Sequence, residues 1–222
     1  MQIGPKEINL TKCDLDQVLP NIQQPLKEYL WLQSRAADLA SPAEDVDFCK
    51  RFAKFYGIYA ARRSKQWQCT FFTLLGELKD RKPSFPDALS ALQSATGNLE
   101  ASFASKLVAT HNPSLAVLDD IVLGHLGLKL PYWKSPRRFE RVIEVYEDLT
   151  KRIAHYIASN EGRRTISQFR AFNESYAKAD ITDAKIIDLV LWQWRTKIEG
   201  KSTRSRGVPD DAERRRDKRT QS

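Results

Sequence analysis

The chain has 222 residues, 41% hydrophobic and 29% charged, the composition of a globular protein long enough for one good-sized core or two intimate subdomains. No run of about 18 apolar residues offers a bilayer span, so no membrane partner is expected. Thirty-six Lys and Arg outweigh 28 Asp and Glu for a formal charge of +8, a surplus that suits a polyanion.

The amino-terminal stretch MQIGPKEINLTKCDLDQ places charges where a secretion signal needs an apolar run, which predicts a cytoplasmic protein. Cys13, Cys49 and Cys69 lie far apart without a C-x-x-C pair. That pattern argues against a disulfide framework, a zinc ribbon or an iron–sulfur cluster, and predicts reduced, mostly buried thiols and no metal or other cofactor.

In residues 1–44, Pro5, Pro20 and Pro25 punctuate what the sequence predicts as short helices, an extension anchored on the core by Tyr29, Leu30, Trp31 and Leu32. From Asp45, Phe48, Phe52, Phe55, Tyr56 and Tyr59 recur at helical spacing. Ser64 opens a second helix, with Phe71, Phe72, Leu74, Leu75 and Leu78 apolar. After the turn KDRKPSFP, the helix PDALSALQSA stops at Thr96-Gly97-Asn98, and Leu99 begins another that ends near Asn112-Pro113. Asp119 and Asp120 sit where an N-cap belongs for IVLGHLGL. Ser135-Pro136 reads as a cap and first-turn proline for a long charged helix to about Ala158, and Thr182 caps TDAKIIDLVLWQWRTK. Apart from Leu115 to Leu118 no strand-like run occurs. The expectation is an all-α fold over 45–200 with a disordered basic tail at 201–222.

Two residues stand out chemically. A carboxylate at a helix start, Asp119 or Asp120, is held as an anion by free N–H groups and the helix dipole; it can serve as a cap or as a charge aimed into a cleft. Lys106 falls on the stripe of Leu99, Phe103 and Thr110, where an apolar side chain is expected. Its stem can snorkel to bond carbonyls or a phosphate, or its amine can be desolvated into a nucleophile or base. The junction Arg62-Arg63-Ser64-Lys65-Gln66-Trp67 is either a solvated turn or a set of donors for phosphates beside an aromatic ring, and Lys129, Lys134, Arg137 and Arg138 form a second basic cluster beside Tyr132 and Trp133.

The segment Asn112-Pro113-Ser114-Leu115-Ala116-Val117-Leu118-Asp119 resembles the proline-to-aspartate stretch of the helix-hairpin-helix DNA glycosylases, in particular their 8-oxoguanine glycosylase branch. The resemblance spans about residues 45–130. It implies a compact helical fold with a cleft between two helical units, a catalytic aspartate at Asp119, and phosphate capture at a hairpin, here Gly97 and Asn98. The hairpin's usual second glycine is missing. The Schiff-base lysine of bifunctional members falls at Glu100, which favours a monofunctional enzyme unless Lys106 has taken over the role.

Such an enzyme flips a nucleotide out of the duplex into an aromatic pocket; Tyr56, Tyr59 and Trp67 are candidate walls, or core. The expected function is excision of a damaged or modified base from double-stranded DNA by a monomer, at the nucleoid when bound to DNA. The setting is repair or defence against modified phage DNA. The alternative is a non-catalytic helical DNA-binding module that uses its carboxylates only as caps.

Overall fold

A computed structural model describes residues 7–194. Among these the chain is all-helical, with ten α-helices, two 3-10 turns and no strand. None of these helices is long and apolar enough to cross a membrane.

Helix α1 (Lys12–Asp38) starts at a capping box between Thr11 and Asp14 and runs through Pro20 and Pro25 without a break, where the sequence predicts separate short helices. Each internal proline forfeits a backbone hydrogen bond, at about 3 kcal/mol or more. Burial decides the outcome. Leu15, Val18, Leu19, Ile22, Leu26, Tyr29 and Leu32 are all buried along one face, each contributing about 1.5–3 kcal/mol, enough to outweigh two prolines.

Asp45 caps α2 (Val46–Phe55) by accepting from the Phe48 amide at 2.8 Å. Ser64 likewise caps α3 (Lys65–Glu77) through the Trp67 amide at 3.1 Å. Phe48 and Phe52 from α2 meet Phe71 and Phe72 from α3 in an aromatic core, with ring centroids 5.6 Å apart for both Phe52 pairs. A Ser84–Asp87 capping box opens α4 (Phe85–Thr96), and Gly97 closes it at φ 71°, a left-handed turn that glycine makes without a Cβ clash. Helix α5 (Ala101–His111) follows and packs on α4.

The extended run 115–118 leads to α6 (Asp120–His125). Helix α7 (Arg138–Ala158) begins beyond Ser135-Pro136, with Arg137 in the left-handed region at φ 52°. The predicted Ser135 cap is not formed: the N-cap position falls on Arg137, without a side-chain cap bond, and the Ser135 amide donates to the Tyr132 carbonyl at 2.9 Å, so 132–135 closes a turn. Helices α8 (Asn160–Ala171) and α9 (Glu174–Ala177) lead to α10 (Asp183–Gln193), capped by Thr182 as predicted. Helix α10 packs against α1, α6, α7 and α8, and every residue from 185 to 191 is buried.

The thiols depart from expectation. Cys13 and Cys69 are exposed and Cys49 is half-buried, because Cys13 sits in the first turn of α1 and Cys69 on the face of α3 opposite Trp67 and Phe71. The predicted tail at 201–222 and residues 195–200 lie outside the described residues, as does Pro5.

Candidate active site

Two serines fasten the run before Asp119 to α5. The Ser102 hydroxyl donates to the Leu118 carbonyl at 2.8 Å; the Ser105 hydroxyl accepts from the Leu118 amide at 2.9 Å and donates to the Ser102 carbonyl at 2.8 Å. Both backbone groups of Leu118 are thus satisfied by side chains of one helix. That fixes where the next residue, Asp119, leaves the chain.

Asp119 is the N-cap of α6, accepting from the Ile121 amide at 2.8 Å. It is half-buried and lines a cavity of about 230 Å³, whereas Asp120 is exposed and does not line it. Lys106 lines the same cavity. Its ammonium donates to Ser102 Oγ at 2.7 Å and lies 4.9 Å from the centroid of the Phe103 ring. Burial, at 8% exposure, pulls its pKa down to about 8; the carboxylates of Asp119, Asp120 and Asp188 oppose the fall.

The facing wall comes from α10. Lys185 and Asp188 form a buried ion pair at 2.5 Å, and Lys185 Nζ also lies 4.9 Å from the centre of the Tyr29 ring. Trp192, one turn on, and Lys54, Phe55 and Tyr56 from the end of α2 also line it. Burial raises the Tyr56 phenol well above its ordinary value, so it remains a neutral group.

Of the candidate base walls, Tyr56 alone lines this cavity. Tyr59 is 49% exposed on the turn after α2. Trp67 is a core residue, stacked on Phe71 at 5.5 Å and edge-on to Phe103 at 4.7 Å. Sequence reasoning missed Lys185, Asp188 and Trp192. Their signal was present: two ionisable residues at i and i+3 inside the apolar helix DAKIIDLVLWQ, where a buried charge calls for a partner.

The two basic clusters meet across the start of α5. Arg63 pairs with the buried Glu100 at 2.7 Å, and the same carboxylate acts on Arg138, whose pKa desolvation lowers. Arg62, Ser64, Lys65, Gln66, Lys129, Lys134 and Arg137 are exposed. Arg62 and Arg137 both adopt positive φ, 51° and 52°, a conformation that costs a non-glycine residue about 1–2 kcal/mol. Gly97 is exposed, while the Asn98 side-chain amide donates back to the Thr96 carbonyl at 3.1 Å. Comparison with models of protein families, with curated proteins and with solved structures gave no match to this chain.

Proposed function

We propose that the protein is a DNA N-glycosylase that flips a damaged or modified nucleotide from the duplex into the Lys106–Asp119 cavity, read as a cleft between two helical units, and excises its base. One observation carries the reading: a lysine of lowered pKa and a fixed carboxylate line the same small cavity, beside the rings of Tyr56 and Trp192. At about 230 Å³ the cavity is below the roughly 300–1,000 Å³ of drug-sized ligand sites; it suits a single flat ring system.

The chemistry follows from the two charges. When the bond from C1′ to the base breaks, its electron pair leaves with the base and positive charge develops on the sugar. Asp119 stabilises that charge more in the transition state than in the ground state. It then takes the proton of the water that adds to C1′. Lys106, mostly protonated at pH 7, gives its proton to the departing base. Solvent returns the proton from Asp119 and restores the one on Lys106, leaving an abasic site and a free base.

A second chemical reading has its own support: a lysine amine with a pKa near 8 is partly neutral at physiological pH and can attack C1′ itself, displacing the base and forming a Schiff base. The binding-module alternative has support too, in the cap bond that Asp119 makes to Ile121. The deciding experiment incubates the protein with duplexes carrying a panel of base modifications and measures abasic sites. Excision of at least one base, lost in Asp119→Asn, supports the proposal; binding without excision across the panel sinks it. Repair of the cell's own genome and attack on modified phage DNA require the same step, and the base that is excised distinguishes them.

A further inference from the structure

We infer that the loop between α6 and α7 is a stacking platform for an unpaired DNA nucleotide, separate from the cavity, with the rings of Tyr132 and Trp133 as its surface. The choice of DNA as the polymer rests on the function proposed above; the platform itself rests on different residues.

Tyr132 and Trp133 are 65% and 42% exposed, with ring centroids 5.8 Å apart. Single exposed aromatic residues are ordinary on a protein surface, but adjacent pairs call for a reason. The loop that carries them is held at its base. Leu128 and Leu130 pack on the core ahead of them and Phe139 behind, the Leu128 amide donates to the Leu123 carbonyl at 2.9 Å, and the 132–135 turn is closed by its own hydrogen bond. The rings are therefore presented from an anchored loop, so less ordering entropy is lost on binding.

The charges around the rings identify the occupant. Lys134 Nζ lies 4.5 Å from the Trp133 ring centroid, and Lys129 and Arg137 are exposed on the same loop. Arg138 is coupled through Glu100 to Arg63, next to exposed Arg62. Cations bordering two exposed rings match the pairing of backbone phosphates with base faces by which single strands are bound.

The experiment measures binding of fluorescently labelled oligothymidine, 12 nucleotides long, to the full chain by anisotropy over a range of salt. The variants are Tyr132→Ala/Trp133→Ala and the ring-conserving Trp133→Phe. The double alanine variant is expected to lose roughly tenfold or more in affinity while keeping the wild-type salt slope, because every cation remains. Trp133→Phe is expected to bind within about threefold of wild type, which separates lost stacking from a damaged fold. The inference is overturned if the double variant binds as the wild type does, if its salt slope collapses, or if sedimentation shows the pair buried between two copies of the chain. No bond is broken in this assay. A protein that excises nothing can still pass it, and an active glycosylase can fail it.

Discussion

The Ser102 hydroxyl accepts the Lys106 ammonium at 2.7 Å while donating its own proton to the Leu118 carbonyl at 2.8 Å. One side chain therefore sets the position of the amine and of the strand-like run that delivers Asp119. Lys106 lies in that arrangement at an energetic cost.

The cost predicts a pH-dependent stability. In the folded protein the amine has a pKa of about 8 against an ordinary 10.5, so between those values the unfolded chain binds more protons and stability rises with pH. Below pH 8 both states are protonated and the full penalty applies, on the order of 3 kcal/mol at about 1.4 kcal/mol per pH unit. Lys106→Met removes the charge and keeps the stem. Denaturant unfolding should find the variant more stable than wild type at pH 7, with the gap shrinking by most of that amount by pH 10.5. A gap that is constant across this range contradicts a desolvated amine.

The same pKa gives catalysis a direction. As a proton donor Lys106 must be charged, so the single-turnover excision rate should fall as pH rises through about 8. A nucleophilic Lys106 predicts the opposite, a rate that climbs towards pH 8, together with a borohydride-trapped protein–DNA adduct that Lys106→Met abolishes. The expected result is the falling limb and no adduct.

Asp119 and Asp120 supply a paired test. Asparagine also caps helices well, so Asp119→Asn preserves the bond to Ile121 while removing the Asp119 carboxylate charge, with Asp188 left in the cavity wall. Excision should drop by roughly 10²–10⁴ with the melting temperature little changed. Asp120 is exposed outside the cavity, and Asp120→Asn should retain nearly all activity. Equal, mild losses at both positions would return Asp119 to a capping role alone.

Removing one partner of the Lys185–Asp188 pair leaves the other charge buried, because the two side chains are only 6% and 10% exposed. Asp188→Leu should destabilise the fold by about 3–5 kcal/mol, as broken buried pairs do. Replacing both, Lys185→Met with Asp188→Leu, should recover much of that stability in urea denaturation. A double variant no more stable than the single one would show that the pair has no such coupling.

What was legible in the sequence followed from local chemistry. Caps at Ser64, Asp119 and Thr182 satisfy amides within a few residues of themselves, and Lys106 was conspicuous because its own helix stripe is apolar. What was hidden depended on distant partners. Pro20 and Pro25 read as breaks because the buried face that overrides them is completed by α2 and α10. Lys185 and Asp188 carried a local signal, two ionisable residues at i and i+3 in an apolar helix, but nothing within α10 shows that they line the same cavity as Lys106 and Asp119. Trp67 could be read as a wall or as core, and only the positions of Phe71 and Phe103 place it in the core.

Helix α10 packs against α1 near the start of the described chain and against α6 and α7 in its middle, and it brings Lys185 and Asp188 to a cavity whose other charges come from Lys54 on α2, Lys106 on α5 and the Asp119 cap of α6. The site therefore has no partial form. A nascent chain stopped before residue 183, or one clipped there by a protease, carries Lys106 and Asp119 but lacks the wall that faces them. Docking of α10 is thus the step that closes the cavity: its charges come together only once helices far apart in the chain have met.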